Sequence, residues 1–377
     1  AGVDVYRVGV LPTPAVAFLV KESNADLGVM ISASHNPMPD NGIKFFAKGG
    51  DKLADQVEAQ IEARLGEPWD RPTGVNVGRI ILDQGASERY INHLLSTIST
   101  KLTGLNVIVD CANGAASNVA PIAYEKAGAS VRAISATPTG WNINENCGST
   151  HLDNLISEAK KTGADIGIAH DGDADRCLLI AKSGEVIDGD YILNILATQY
   201  LSEGRLNKKV VVGTVMSNLG FIKSMQAKGI NVEKTAVGDR YVLEKMLEND
   251  YSLGGEQSGH VIMREFSNTG DGLLTALQIM QVMVKSKKSL LDLASTMQKY
   301  PQVLINVKEV KKENLSSSVK IKEAITAAEQ QLGSKGRVLL RASGTEALVR
   351  VMVEADELPL AQKIAESLAQ LVRLELK

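Results

Sequence analysis

The chain has 377 residues, 44% hydrophobic and 23% charged, with a net charge of −3, a profile of a globular protein long enough for two to four domains. Its 41 basic residues are spread among 44 acidic ones without a basic block, which argues against a nucleic-acid partner. No apolar run approaches the roughly 18 residues needed to cross a bilayer, the opening AGVDVYRVGV lacks a signal-peptide pattern, and Cys111, Cys147 and Cys177 form no CxxC pair. A reducing compartment, the cytoplasm, and no structural zinc site are therefore expected.

Residues 2–20, GVDVYRVGVLPTPAVAFLV, read as strand, turn and helix. A parallel strand needs a neighbour and none precedes this one, so N-terminal residues are expected to be missing. LGVMIS (27–32) reads as a buried strand leading into ISASHNPMPDNGIKFF (31–46), where Pro37, Pro39 and Gly42 stop regular structure. Ser34 lies in this turn beside His35, with Lys44 ten residues on. It could be a nucleophile or phosphate carrier. A polar turn in which Ser34 caps a helix and His35 is merely solvated fits the spacing equally well.

A helix is expected over 51–65 (DKLADQVEAQIEARL), and GEPWDRPTG (66–74), followed by RIILDQGA, marks a first boundary. LNVIVD (105–110) and ADIGIAH (164–170) read as buried strands flanking the helix LDNLISEAKK (152–161). In AHDGDADRC (169–177), Asp171, Asp173 and Asp175 fall at i, i+2 and i+4 after an apolar strand, with CLLIA buried behind them. Three carboxylates so close repel unless a cation neutralises them, and an all-oxygen set favours Mg²⁺. The loop lacks the length and terminal Glu of an EF-hand. Arg176 would stand beside the metal as a phosphate-directed charge.

KSGEVIDGD (182–190) marks a second boundary, before the strand KVVVGT (209–214) and the helix GDRYVLEKMLEND (238–250). In SLGGEQSGHVIM (252–263), Glu256, Gln257, Ser258 and His260 lie between glycine pairs and a strand. Glu and Ser there match the hydroxyls and amines of a sugar, although a bulged loop between strands has the same pattern. KSKKSLLDLASTMQKYPQ (285–302) marks a third boundary, and a small α+β domain follows. Within it, RVLLRASGTEALVRVMVEA (337–355) sets Arg341, Ser343, Gly344 and Thr345 after one strand and Arg350 on the next. Backbone N–H groups, two hydroxyls and two guanidinium groups make an oxyanion pocket for a dianionic phosphate. The loop does not match GxxxxGK[ST], and no GxGxxG follows a strand, which sets aside nucleotide and dinucleotide folds. Carrier hydroxyl, hard metal, sugar clamp and distal anchor together describe phosphoryl transfer.

These four segments, in this order, resemble the signature loops of the α-D-phosphohexomutase family. ISASHNP with DNGIKFF, DCANGAAS (110–117), GDRYV (238–242) and GGEQSGH (254–260) are most similar to its bacterial phosphoglucosamine mutase branch. The resemblance implies three similar α/β mixed-sheet domains and a smaller C-terminal α+β domain, with limits expected at 1–83, 84–184, 185–300 and 301–377. It implies interconversion of glucosamine 6-phosphate and glucosamine 1-phosphate, through a phosphoserine and a glucosamine 1,6-bisphosphate, on the route to UDP-N-acetylglucosamine. Ser34 becomes the phosphoserine, and Asp171, Asp173 and Asp175 hold Mg²⁺ with the seryl phosphate. His35, Lys44 and Arg176 become candidates for proton transfer and phosphate stabilisation. Asp239, Arg240, Glu256, Ser258 and His260 would meet the sugar, and Arg341, Ser343, Gly344, Thr345 and Arg350 the non-reacting phosphate. The partner implied is a small phosphosugar, with a homodimer among the assemblies expected.

This chain departs from the family pattern at Ala174, where the family has glycine in DGDGDR, and at Ala342 and Ala347, where prolines are common. The family's GTDGIRG-like N-terminal strand is also absent from the sequence. The competing readings are a phosphomannomutase/phosphoglucomutase on neutral hexose phosphates and a catalytically silent phosphosugar-binding protein.

Overall fold

A computed structural model of the chain describes residues 1–343 and 347–377. These divide into two compact bodies, Ala1–Met216 with Lys228–Thr296, and Ser217–Ala227 with Met297–Lys377. No helix among the described residues is long and apolar enough to cross a membrane.

In the first body, the opening strand Val5–Arg7 pairs in parallel with Ile80–Leu82. Its parallel neighbour thus comes from further along the chain. A helix follows over Thr13–Glu22, with proline in its first turn, where a missing N–H costs nothing. Leu27–Ile31 was expected to be buried, but it is covered on one side only. It forms a two-stranded antiparallel ladder with Ile43–Ala47. Gly28 packs against Val16 and Val20 of the helix, while Leu27, Val29 and Ile31 are exposed. That alternation is the pattern of a half-buried antiparallel strand. The helix expected over 51–65 is shorter, Asp55–Ala63. Gly49 and Gly50, both at positive φ, turn the chain so that Leu53 N–H donates to Phe45 O at 3.1 Å, holding residues 51–53 extended.

Two larger sheets follow. One has the order Ser130–Ile134, Asn106–Asp110, Ile166–His170, Cys177–Ala181 and Val186–Ile187; its first three strands are parallel and the last two antiparallel. The other runs Asn231–Thr235, Val210–Thr214, Leu253–Gly255 and Val261–Met263, with only its last pairing antiparallel. Ile166–His170 and Val210–Thr214 are buried throughout, which is why they read as unbroken apolar runs. The helix Gly272–Ser286 is buried from Gly272 to Met283, and the Asp271 side chain caps it.

The second body is a three-stranded antiparallel sheet with Leu348–Ala355 between Gln302–Lys308 and Gly336–Ala342. The helices Val319–Leu332 and Leu358–Glu375 pack on it around Val307, Val349, Val351, Val353, Ile364 and Leu368. The fully buried Glu354 accepts hydrogen bonds from Arg337 Nε at 2.6 Å and from the Leu219 N–H at 2.9 Å, tying the helix Leu219–Ala227 to this sheet. A buried carboxylate with this many donors is compensated for its lost hydration.

Candidate active site

Each of the four loops singled out in the sequence follows a strand that pairs antiparallel with the next one along the chain. The serine loop joins Leu27–Ile31 to Ile43–Ala47, and the aspartate loop joins Ile166–His170 to Cys177–Ala181. The glutamate loop joins Leu253–Gly255 to Val261–Met263, and the arginine loop joins Gly336–Ala342 to Leu348–Ala355.

Ser34 stands at φ +54, and its hydroxyl donates to Asp171 Oδ2 at 2.7 Å. The reading of Ser34 as a helix cap therefore fails: no helix follows, and its hydroxyl meets a carboxylate 137 residues away. Asp171, Asp173 and Asp175 are all buried and offer oxygen atoms within 4.8 Å of one another. Lys44 Nζ reaches Asp173 at 2.6 Å and Asp175 at 3.3 Å. Burial pushes the Asp171 carboxyl far above the usual range, and the charges of Asp175 and Asp173 add to this. Burial acts on Asp173 in the same direction, but the Lys44 ammonium outweighs it and holds that carboxyl below the usual range. For Lys44, burial disfavours the charge while Asp175 and Asp173 restore it, so its pKa is raised. Burial and Arg176 lower His35.

These aspartates fit a hard divalent cation. Asp173 Oδ1 and Asp175 Oδ1 are buried and accept no hydrogen bond, and the donor set is all oxygen. Arg176 lies at the loop's exit, with its N–H on Asp171 Oδ1 at 3.2 Å and its Nε 4.0 Å from Asp175. The close approach of the serine and aspartate loops requires Gly172, because a Cβ there would sit 2.6 Å from the carbonyl oxygen of Ser34.

Two residues missed by sequence reasoning complete this cluster. The Thr13 hydroxyl donates to Asp173, and the Thr13 N–H reaches the Asp173 carbonyl at 2.9 Å. Asn144 Nδ2 donates to the carbonyls of Ser34 and Asn36, both at 2.9 Å, and so braces the serine loop. Neither residue carried a local motif that would have marked it.

The glutamate loop is joined to the aspartate loop through the Cys177 N–H, which donates to Gly259 O at 3.0 Å. Glu256 Oε1 accepts the Gly238 N–H at 2.9 Å, and Ser258 lies beside Glu256. His260 is buried, with Nε2 3.3 Å from Asp239. Asp239 also pairs with Lys52; burial raises its carboxyl, but His260 and Lys52 outweigh that and hold it well below the usual range. Arg240 Nη2 donates to Leu53 O at 2.8 Å. In this structure Asp239 and Arg240 thus hold the segment at 52–53.

In the second body, Arg341 and Arg350 lie directly opposite across the strands. Burial and the facing Arg350 both lower the Arg341 pKa. Like charges in register are unfavourable unless an anion lies between them. The buried Ser343 has its carbonyl on Lys312 Nζ at 2.6 Å, a third cation that sequence reasoning missed. Gly344 and Thr345 lie outside the described residues.

Comparison with known proteins places this arrangement. Residues 1–68, 88–184, 188–300 and 304–371 match, in order, the phosphoglucomutase/phosphomannomutase alpha/beta/alpha domains I, II and III and the C-terminal domain. The phosphoglucosamine mutase of Corynebacterium aurimucosum is 57% identical over 373 residues, which cover 98% of this chain and 83% of that protein. Among solved structures, a phosphoglucomutase/phosphomannomutase family protein of Burkholderia thailandensis has a TM-score of 0.82 at 23% identity, covering 100% of this chain and 84% of its own. An N-acetylphosphoglucosamine mutase of Aspergillus fumigatus, in complex with GlcNAc-6P and magnesium, has a TM-score of 0.70 at 17% identity, covering 97% and 93%. The two structures support the fold. The four domain matches and the high identity go further: this chain belongs to the phosphoglucomutase/phosphomannomutase family, on its phosphoglucosamine mutase branch.

Proposed function

We propose that the chain interconverts glucosamine 6-phosphate and glucosamine 1-phosphate, with Ser34 carrying the phosphate. The observation that carries this reading is the 2.7 Å hydrogen bond from the Ser34 hydroxyl into a buried cluster of three aspartates bridged by Lys44. A phosphoserine bears about −1.5 to −2 charge near neutral pH and cannot sit against that cluster without a counter-ion. Asp171, Asp173 and Asp175 would hold Mg²⁺, which when bound would neutralise the seryl phosphate and the transferring phosphoryl group.

The residues then divide the work. Phosphorylated Ser34 gives its phosphoryl group to the free hydroxyl of the sugar monophosphate, forming the O–P bond to the sugar as the Ser34 O–P bond breaks. The hydroxyl's proton leaves to a neighbouring base, for which His35 is suited because burial and Arg176 lower its pKa and so favour the neutral ring. Lys44 and Arg176 face the group in transit. The Ser34 oxygen takes up a proton as it leaves; the resulting glucosamine 1,6-bisphosphate turns over, and its other phosphate returns to Ser34 as the Ser34 proton passes to the sugar oxygen released. Glu256, Ser258 and His260 would orient the sugar, with Asp239 and Arg240 released from Lys52 and Leu53 to join them. Arg341, Ser343, Gly344, Thr345 and Arg350 would hold the non-reacting phosphate, a pocket that must accept either end of the bisphosphate. The domain limits 1–83, 84–184, 185–300 and 301–377, a cytoplasmic location and a homodimer belong to the same reading.

The test is a coupled assay with glucosamine 6-phosphate, mannose 1-phosphate and glucose 1-phosphate, run with intact-mass measurement. Turnover of the amino sugar well above the neutral sugars, and one phosphate lost in Ser34→Ala, is the expected result. Equal turnover of the neutral hexoses would move the chain to the phosphomannomutase/phosphoglucomutase activity. Absence of phosphorylation and of turnover would leave a phosphosugar-binding protein.

A further inference from the structure

Behind the aspartate loop sits a buried histidine for which the proposed chemistry has no use. His170 ends the strand Ile166–His170 opposite Cys177, where the chain re-enters the sheet, and it is 0% exposed. Its Nδ1 lies 3.0 Å from the carbonyl oxygen of Arg176, and its Nε2 lies 2.8 Å from the hydroxyl of Tyr124 on the helix Ala120–Ala127. One ring therefore joins the entrance of the loop to its exit. A carbonyl oxygen only accepts, so Nδ1 carries a hydrogen. The neutral ring then presents a lone pair at Nε2, and the Tyr124 hydroxyl donates to it. Without that hydroxyl the Nε2 lone pair is buried with no donor, and the ring loses one of its two anchors.

A second restraint acts beside the first. The Gly272 N–H donates to the Ala174 carbonyl at 3.0 Å. A Cβ on Gly272 would come within 2.3 Å of Arg176 O and 2.7 Å of His170 Nδ1, so the ring and the helix start close over the loop with no room between them. The loop requires such bracing. It holds Ala174 at φ +55 and crowds three carboxylates that repel one another.

We propose that His170 and Tyr124 are a positioning pair that sets the conformation in which Asp171, Asp173 and Asp175 bind a divalent cation, with the Arg176 carbonyl fixing the tautomer of the ring and the Tyr124 hydroxyl satisfying its other nitrogen. The inference rests on the reading of the three aspartates as a cation site. Partners that orient metal-binding groups from behind are commonly worth roughly 10- to 100-fold in metal affinity.

The experiment titrates Mn²⁺ alone into the full chain and follows loss of the free ion's electron paramagnetic resonance signal. Tyr124→Phe and His170→Phe are expected to weaken Mn²⁺ binding by roughly 10- to 100-fold. His170→Asn, whose amide can stand in for the Nδ1–H donor, is expected to bind nearly as wild type. Nitrogen-15 spectra of histidine-labelled protein should show His170 as the Nδ1–H tautomer in wild type, with the Nε2 resonance shifted in Tyr124→Phe as its hydrogen bond is lost. Mn²⁺ binding by Tyr124→Phe equal to wild type, or a wild-type His170 ring protonated at Nε2, would overturn the inference. So would a loss that His170→Asn shares in full, because it would mark packing alone. If His170→Phe does not fold, Tyr124→Phe, which removes a single oxygen atom, decides the matter. A wild-type chain that binds no Mn²⁺ overturns the cation reading and this inference with it. Tight wild-type binding with unaffected variants overturns this inference only.

Discussion

Three non-glycine residues of the site hold left-handed backbone, Ser34 at φ +54, Asn144 at φ +57 and Ala174 at φ +55. At Ser34 the conformation is held from outside, by the Ser32 hydroxyl accepting its N–H at 2.9 Å and by Asn144 on its carbonyl. Ser34→Ala keeps that backbone but removes the hydroxyl from Asp171. It is expected to cost about 1–2 kcal/mol in urea unfolding and to abolish both phosphate incorporation and mutase activity; a phosphorylated Ser34→Ala chain would place the carrier elsewhere. Ala174 is where the family pattern has glycine. Left-handed alanine costs on the order of 1 kcal/mol relative to glycine, but Ala174 is fully buried, and its methyl contributes about 0.8 kcal/mol by burial. The two effects nearly cancel. Ala174→Gly is therefore expected to unfold within about 0.5 kcal/mol of wild type in urea and to keep its metal dependence. A gain well beyond that would show the loop to be strained.

At the scale of elements, the strands beneath the loops explain what was legible in the sequence. Ile166–His170 and Val210–Thr214 are buried on both faces and so stood out as apolar runs, with residue types that have no structural use between them. Leu27–Ile31 read as equally buried because its composition is the same, yet a two-stranded ladder under one helix covers only one side. Thr13 and Asn144 were illegible for a different reason. Thr13 meets Asp173 across 160 residues and Asn144 meets Ser34 across 110, so no local spacing could mark either. Gly172 carries no mark of its own in AHDGDADRC; its use is the contact between two hairpins. A Cβ there would lie 2.6 Å from Ser34 O and 2.8 Å from Asn144 Nδ2. Gly172→Ala must push the serine loop away from the aspartates, and a displacement near 1 Å is worth roughly 100-fold in rate. Steady-state assays should show that loss in kcat, with the KM for the sugar phosphate little changed. Wild-type kcat would mean that the loops can part without consequence.

For the molecule as a whole, buried carboxylates set how stability follows pH, and they do not all act in the same direction. Asp173 and Asp239 are held below the usual range, so what they contribute is present at neutral pH and is lost as pH falls. Asp271 opposes them. It is 2% exposed, accepts the Tyr90 hydroxyl at 2.9 Å and the Leu274 N–H at 2.9 Å, and is pushed up to about 6 by burial, with Asp175 adding to the shift. An unfolded aspartate titrates near 3.9. Between those values the folded chain keeps a proton that the unfolded chain has released. The contribution of Asp271 is thus fully present below about 4 and is lost as pH rises through about 6. Asp271→Asn is neutral at every pH and still offers an oxygen to cap the helix Gly272–Ser286. Measured against wild type by urea unfolding, it should gain in relative stability from pH 4 to pH 7, by up to roughly 3 kcal/mol. A difference that stays constant across that interval would mean that folded Asp271 titrates as an ordinary carboxylate, and that the cap and Tyr90 together suffice to hold its charge in the core.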